Sequence, residues 1–188
     1  LARLHALYPL QGIEYLNPAV LKSAATDSSS GVRRHVVRLS EPWTDNHPDL
    51  RDALLKLVDD NDAKVRMQLA YSLGEWSGAA VATSLGRLAF ADGADPFMAA
   101  AILSSVNADN LMGVLASLLA ERKKANKGGE LLGPLLALAI AHENREATMK
   151  TLDDVLKNEA DPEWQYITVA SLLDALDRRE TTDLRPDV

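Results

Sequence analysis

The sequence predicts an all-α fold, a right-handed α-α superhelix of about five stacked helical hairpins, and three observations carry that expectation. The turn Asp60-Asn61-Asp62-Ala63-Lys64-Val65-Arg66 repeats the grammar of Asp27-Ser28-Ser29-Ser30-Gly31-Val32-Arg33, and the copies lie 33 residues apart. The Asp-Pro pairs Asp95-Pro96 and Asp161-Pro162 are 66 residues apart, twice that interval. The apolar share of 47% is rich in Ala and Leu, aromatics are only 5%, and Gly and Pro fall mostly between the apolar runs, a composition that favours helices over strands. One hairpin cannot bury its apolar stripe alone, so a period in this range implies neighbours stacked on neighbours.

Leu1, Leu4, Leu7 and Leu10 fall at helical spacing, so residues 1 to about 16 read as one helix, bent near Pro9 where the ring removes a backbone donor. It reads as the second helix of a hairpin. With no initiating Met and no polar capping repeat, the chain is expected to be a piece of a longer polypeptide. Asn17-Pro18 caps and opens the next helix, Ala19 to Thr26, and after the Ser-Ser-Ser-Gly turn a helix runs from about Val32 to Glu41, stopped by Pro42. His47-Pro48 opens a helix through Val58, and its partner runs from Ala63 to about Trp76. The third pair spans Ala79 to Ala91 and Pro96 to Val106; the fourth, Asp109 to Lys124 and Gly129 to His142; the fifth, Arg145 to Lys157 and Pro162 to Asp177. Residues 1–178 are thus one domain, and 179–188 are polar enough for a tail or linker. The expected core includes Leu54, Leu57, Val65, Leu69, Leu73, Trp76, Leu85, Leu88, Phe97, Ile102, Leu115, Leu118, Leu135, Leu138, Leu152, Leu156, Ile167 and Leu173. Spacing alone does not decide between core and rim for Trp43 and Trp164.

The repeated turn has a physical reading. Its aspartate can accept from free N–H groups at the following helix start, and the arginine six residues on can fold back onto that carboxylate. Asp27 with Arg33 and Asp60 with Arg66 are therefore expected to lock turns rather than to perform chemistry.

Composition narrows the function. A net charge of −7 argues against a broad surface for nucleic acid or anionic lipid. The absence of cysteine excludes disulfides, Cys-ligated zinc and thiol catalysis within these residues, and no apolar run reaches the length of a membrane span. His5 and His35 occupy similar positions in successive second helices, about 10 Å apart, too far to share a metal whose bonds to nitrogen are near 2.1 Å. His47 and His142 have no histidine three or four residues away. The carboxylate clusters, Asp59-Asp60 with Asp62, Asp153-Asp154, and Glu159 with Asp161 and Glu163, read as solvated turns rather than a converging acid–base pair. No catalytic, cofactor-binding or metal-binding residue is assigned, and no cofactor is expected.

In such an array the second helices line the concave side. That places Arg34, Arg38, Gln68, Tyr71, Ser72, Glu75 and Ser104 toward any partner, and arginine and aromatic side chains suit a protein contact. The expected partner is a protein or a neighbouring domain of the same chain, with no nucleic acid and no direct membrane insertion. The basic stretch from Arg122 to Gly129 reads as a solvated loop, with an acidic partner as the alternative.

The D-x-x-x-x-V-R turns, the helix-pair period and the Asp-Pro openings resemble HEAT repeats, including the short variety first noted in phycobilin lyases, over nearly the whole chain. Asp27, Arg33, Asp60 and Arg66 match that family's acidic and arginine positions, and the resemblance implies a ladder between neighbouring repeats. Met98 and Gln165 stand near where later arginines would be, which confines the expected ladder to the first half. The resemblance implies a non-catalytic scaffold for protein–protein or interdomain contact. Its enzymatic alternatives are a lyase, whose tetrapyrrole pocket these residues do not locate, and a HEAT-like DNA glycosylase, whose basic groove conflicts with −7. Arg3-Leu4-His5-Ala6-Leu7, Leu16-Asn17-Pro18, Val32-Arg33-Arg34-His35 and Val37 through Pro42 are also similar to the HEAT region of large membrane-associated dehydrogenase-like proteins of planctomycetes. That likeness implies an accessory domain of an exported or periplasmic multidomain enzyme with c-type haem. The haem motif Cys-x-x-Cys-His is absent here, so no haem is assigned.

Overall fold

The computed structural model describes residues 2–125, 129–157 and 162–183. Eleven α-helices follow one another among them: α1 (Ala2–Gly12), α2 (Pro18–Ala24), α3 (Ser30–Leu39), α4 (Pro48–Leu55), α5 (Ala63–Leu73), α6 (Ala79–Asp92), α7 (Pro96–Ser105), α8 (Leu111–Lys124), α9 (Leu132–Ala141), α10 (Arg145–Leu156) and α11 (Pro162–Asp183). No strand occurs among the described residues.

Helix starts are written in the sequence as caps and prolines. The Asn17 carboxamide oxygen accepts from the Val20 N–H ahead of α2, the Asp62 carboxylate accepts from the Lys64 N–H ahead of α5, and Asp95 accepts from both Phe97 and Met98 ahead of α7. Asn144 does the same for α10 through the Ala147 N–H. The expected cap Asp161 lies outside the described residues.

Successive hairpins stack into two layers. First helices pack side by side, α2 on α4, α4 on α6, α6 on α8 and α8 on α10; second helices do likewise, α1 on α3, α3 on α5, α5 on α7 and α9 on α11. Between the layers the apolar stripes close over one another, with Leu21, Leu50, Leu54, Leu69, Leu73, Leu85, Leu88, Ile102, Leu111, Leu115, Leu118 and Leu135 fully buried. This is the five-hairpin stack that the period predicts, with α1 as an additional second helix against α3. It makes the chain an all-α repeat solenoid.

The α6–α8 contact is set by small residues. A Cβ on Gly86 would lie 2.4 Å from the Ser117 Cβ and 2.6 Å from the Val114 carbonyl oxygen, and one on Gly113 would lie 2.6 Å from the Ala82 Cβ. The Ser117 hydroxyl donates across this seam to the Thr83 carbonyl at 2.8 Å. The two backbones approach closely because nothing larger stands between them.

Several boundaries and core positions differ from expectation. α3 stops at Leu39, and a short 3-10 turn, Glu41–Trp43, replaces its last turn; the Ser40 hydroxyl donates back to the Val36 carbonyl at 2.7 Å. α4 ends at Leu55 and tightens into a 3-10 segment, Lys56–Asp59. α11 continues to Asp183, past the start of the expected polar tail; residues 184–188 lie outside the described ones. Phe97, Leu156, Ile167 and Leu173 are exposed rather than core. Phe97 sits in the first turn of α7, clear of the stack, and the other three belong to the last hairpin, which packs against α8 and α9 on one side. Trp164 is buried, with the Arg122 guanidinium 5.0 Å above its ring, while Trp43 is half-buried beside His47.

Candidate interaction surface

The repeated turns carry a ladder of ion pairs along the stack. Arg33 aims a two-pronged fork at the Asp60 carboxylate of the next hairpin, Nε to Oδ2 at 2.6 Å and Nη2 to Oδ1 at 2.7 Å. Its Nη1 donates to the backbone carbonyl of Asp27, six residues before it, at 2.8 Å. Arg66 repeats the arrangement one hairpin later: 2.8 and 2.7 Å to the Asp92 carboxylate, and 2.6 Å to the Asp60 carbonyl. Arg3 of α1 supplies an outer rung to the Asp27 carboxylate at 2.8 Å. The expected pairing of each arginine with the carboxylate of its own turn is thereby corrected. Each arginine takes its own turn's carbonyl and the following turn's carboxylate.

The aspartates also do something other than cap. Asp27 accepts from the Ser29 N–H and Asp60 from the Asp62 N–H, two residues on, whereas the cap ahead of α5 is Asp62. The Ser29 N–H and then Arg3 hold the Asp27 carboxyl below the usual carboxylate range. The rungs differ in burial: the Asp60 side chain is 4% exposed and Arg33 16%, while Arg3 is 66% exposed. The inner rungs are desolvated forks, and the outer one is a solvated pair of small energetic weight. The ladder stops at Asp92 because the position after Met98, where a further arginine would stand, is Ala99.

The residues expected on the concave face divide. Arg38, Tyr71, Glu75 and Ser104 are exposed on the second-helix layer, and Arg34 and Gln68 are half-buried. Ser72 is fully buried, a correction to its expected exposure: its hydroxyl donates to the Glu41 carboxylate at 2.6 Å and accepts from the Gln68 amide at 3.2 Å. The 3-10 turn that carries Glu41 lies over that position. Farther along the same layer a cleft of about 530 Å³ opens among α7, α9 and α11, lined by Leu103, Pro134, Ala137 and Asp174 among others.

At the α1 end, His35 is held between Tyr8 and Arg34. The Tyr8 hydroxyl lies 2.5 Å from Nδ1, and the Arg34 Nη2 lies 3.4 Å from Nε2. A guanidinium can only donate, so Nε2 accepts, Nδ1 carries the hydrogen, and the Tyr8 oxygen accepts it. Burial first, then the charges of Arg34 and Arg38, lower the His35 pKa below its usual 6.5. The unfolded chain therefore takes up this proton first as pH falls. The contribution of neutral His35 to stability is complete above about 6.5 and is lost as pH drops through the lower folded value. Thermal denaturation of wild type and His35→Asn between pH 7 and pH 5 should show the steeper loss in wild type; parallel curves would count against it.

Sequence reasoning missed Arg3 and Asp92 as rungs, and Tyr8 as the partner of His35. Asp92 was detectable from the cap: Asp95 lies 33 residues after Asp62, and the acid of that turn precedes it by one residue more than Asp60 precedes Asp62. Among the described residues no three His, Asp or Glu side chains converge on a point that could hold a metal ion, and no helix is long and apolar enough to cross a membrane.

No curated protein and no solved structure matches the chain. The family model for HEAT repeats matches residues 17–107, the stretch from the cap of α2 to just past α7, which contains the two inner rungs of the ladder. That match does not carry the narrower likeness to planctomycete dehydrogenase-like proteins. With the period, the two-layer stack and the Asp–Arg ladder described above, it identifies residues 17–107 as HEAT repeats, and the helices after them continue the same two-layer stack.

Proposed function

We propose that this chain is a non-catalytic scaffold that uses the exposed side of its second helices to hold another protein or a neighbouring domain of its own chain. HEAT repeats are in general protein-interaction scaffolds. The observation that carries the reading is one row of side chains. Arg38, Tyr71 and Ser104 occupy equivalent positions on α3, α5 and α7, and all three are exposed. A repeated, outward-facing register on a rigid stack is what an extended protein contact needs.

A photoreactive benzoylphenylalanine placed at Tyr71 or Ser104 should give defined adducts in the source cells, identified by mass spectrometry. The same group at Asp52, exposed on α4 of the other layer, should not. Equal adducts from both layers, or none from the second-helix positions, would refute the assignment of the face.

A further inference from the structure

The second-helix face is graded along the stack. Nine positions beyond the caps Ser29, Asp62 and Asp95 stand Arg38, Tyr71 and Ser104, and one turn earlier stand Arg34, Met67 and Ala100. Both rows pass from guanidinium on α3, through aromatic and thioether on α5, to small side chains on α7.

Arg34 and Arg38 are one helical turn apart, and neither meets a carboxylate among the described residues. This is notable in a chain with 27 acidic and 20 basic residues, where Arg3, Arg33, Arg66 and Arg87 each hold an aspartate. Beside them, the neutral His35 donates from Nδ1 to the Tyr8 oxygen, which frees the Tyr8 hydroxyl hydrogen for a group outside the protein. Two unneutralised guanidiniums and a free hydroxyl donor on one exposed corner match a carboxylate. The adjoining Met67 and Tyr71 match an apolar side chain. Glu75, exposed one turn beyond Tyr71, repels an acid at that end and so sets which way a ligand lies.

We propose that this corner binds an extended acidic segment of a partner protein, seating a carboxylate on Arg34, Arg38 and the Tyr8 hydroxyl and an apolar side chain against Met67 and Tyr71. The inference rests on the scaffold reading and adds the class of segment recognised. Neighbouring helices pack about 10 Å apart and an extended chain advances about 3.3 Å per residue, so the acid and the apolar anchor stand about three residues apart. Nucleic acid and anionic lipid fit less well, because both need a wide basic field and the chain carries −7.

The probe is a fluorescein-labelled 12-residue peptide with Asp-Glu followed three residues later by Leu, titrated with the full chain at low salt and read by anisotropy. Saturable binding is expected. Arg34→Ala with Arg38→Ala should weaken it at least tenfold, Tyr71→Ala about fivefold, and Arg87→Ala, on α6 of the other layer, not at all. Replacing Asp-Glu by Asn-Gln in the peptide should match the double variant. Arg34→Lys with Arg38→Lys, which keeps the charge, should fall between. In proton NMR the His35 imidazole should titrate at higher pH with the acidic peptide bound and not with its Asn-Gln version, because the carboxylate offsets the two guanidiniums. Unchanged binding by a double variant whose circular dichroism matches wild type overturns the proposal. So does tighter binding of a phosphoserine peptide or of single-stranded DNA. If no peptide binds while photo-adducts at Tyr71 persist, the acidic-segment assignment falls and the scaffold stands; if the adducts are missing too, both fall.

Discussion

Asp60→Ala will lower the unfolding free energy by about 3 kcal/mol in a urea titration near neutral pH, because it leaves the Arg33 guanidinium largely desolvated and without the carboxylate it grips with two prongs. The same change removes the acceptor for the Asp62 N–H. Asp59→Ala, one residue away, breaks only the exposed contact with Arg87 and will cost about 0.5 kcal/mol or less. Arg33→Ala will resemble Asp60→Ala, and the double variant will fall short of the sum, since the two side chains stabilise one another. Acid supplies an independent check. Burial by itself would raise the Asp60 carboxyl, but the Arg33 fork and the Asp62 N–H more than offset it and hold the group below its ordinary 3.8. The unfolded carboxyl is then protonated first as pH falls. The stabilisation is whole above about pH 4 and drains away as pH drops through the lower folded value. Wild type and Asp60→Ala should therefore converge in strongly acid solution; a difference that persists there would mean the ion pair is not its source.

Gly86→Val will cost about 3 kcal/mol. The added branched carbon meets the Ser117 Cβ and the Val114 carbonyl oxygen well inside contact distance, and a backbone carbonyl of a packed helix has nowhere to go. Helix propensity alone would favour a change away from glycine by a few tenths of a kcal/mol or more, so a destabilised variant isolates the steric effect. Gly12→Ala is the matched control. Its Cβ would find nothing within 4 Å, and that variant should be neutral or stabilised by up to about 1 kcal/mol. Equal midpoints for the two glycine variants in thermal denaturation would show that the α6–α8 seam is looser than its geometry.

The helices were legible because their signals are local. Asn17, Asp62 and Asp95 cap where their side chains can reach the next N–H groups, and the prolines at 18, 48, 96 and 162 open helices because each occupies a position with no intrahelical donor to lose. The direction of the ladder was not legible. A six-residue spacing allows Arg33 to reach back, and it does, but the nearest acceptor there is the Asp27 carbonyl, while the Asp27 carboxylate already holds the Ser29 N–H and Arg3. Ser72 fell on the exposed side of a helical projection and is buried because the Glu41 turn, thirty-odd residues earlier, covers it. Tyr8 and His35 are 27 residues apart on different helices, and nothing short of the stack itself announces that contact.

Each rung of the ladder ties one hairpin to the next, and the last rung stops at Asp92, so the two ends of the rod are unlike. The desolvated forks lie between α3 and α6; the α6–α8 seam beyond them is closed by small side chains and a close backbone approach. Warmed or pulled, the seams beyond α6 should part before those between α3 and α6, so that one stretch of the stack changes shape while the forked stretch keeps its own.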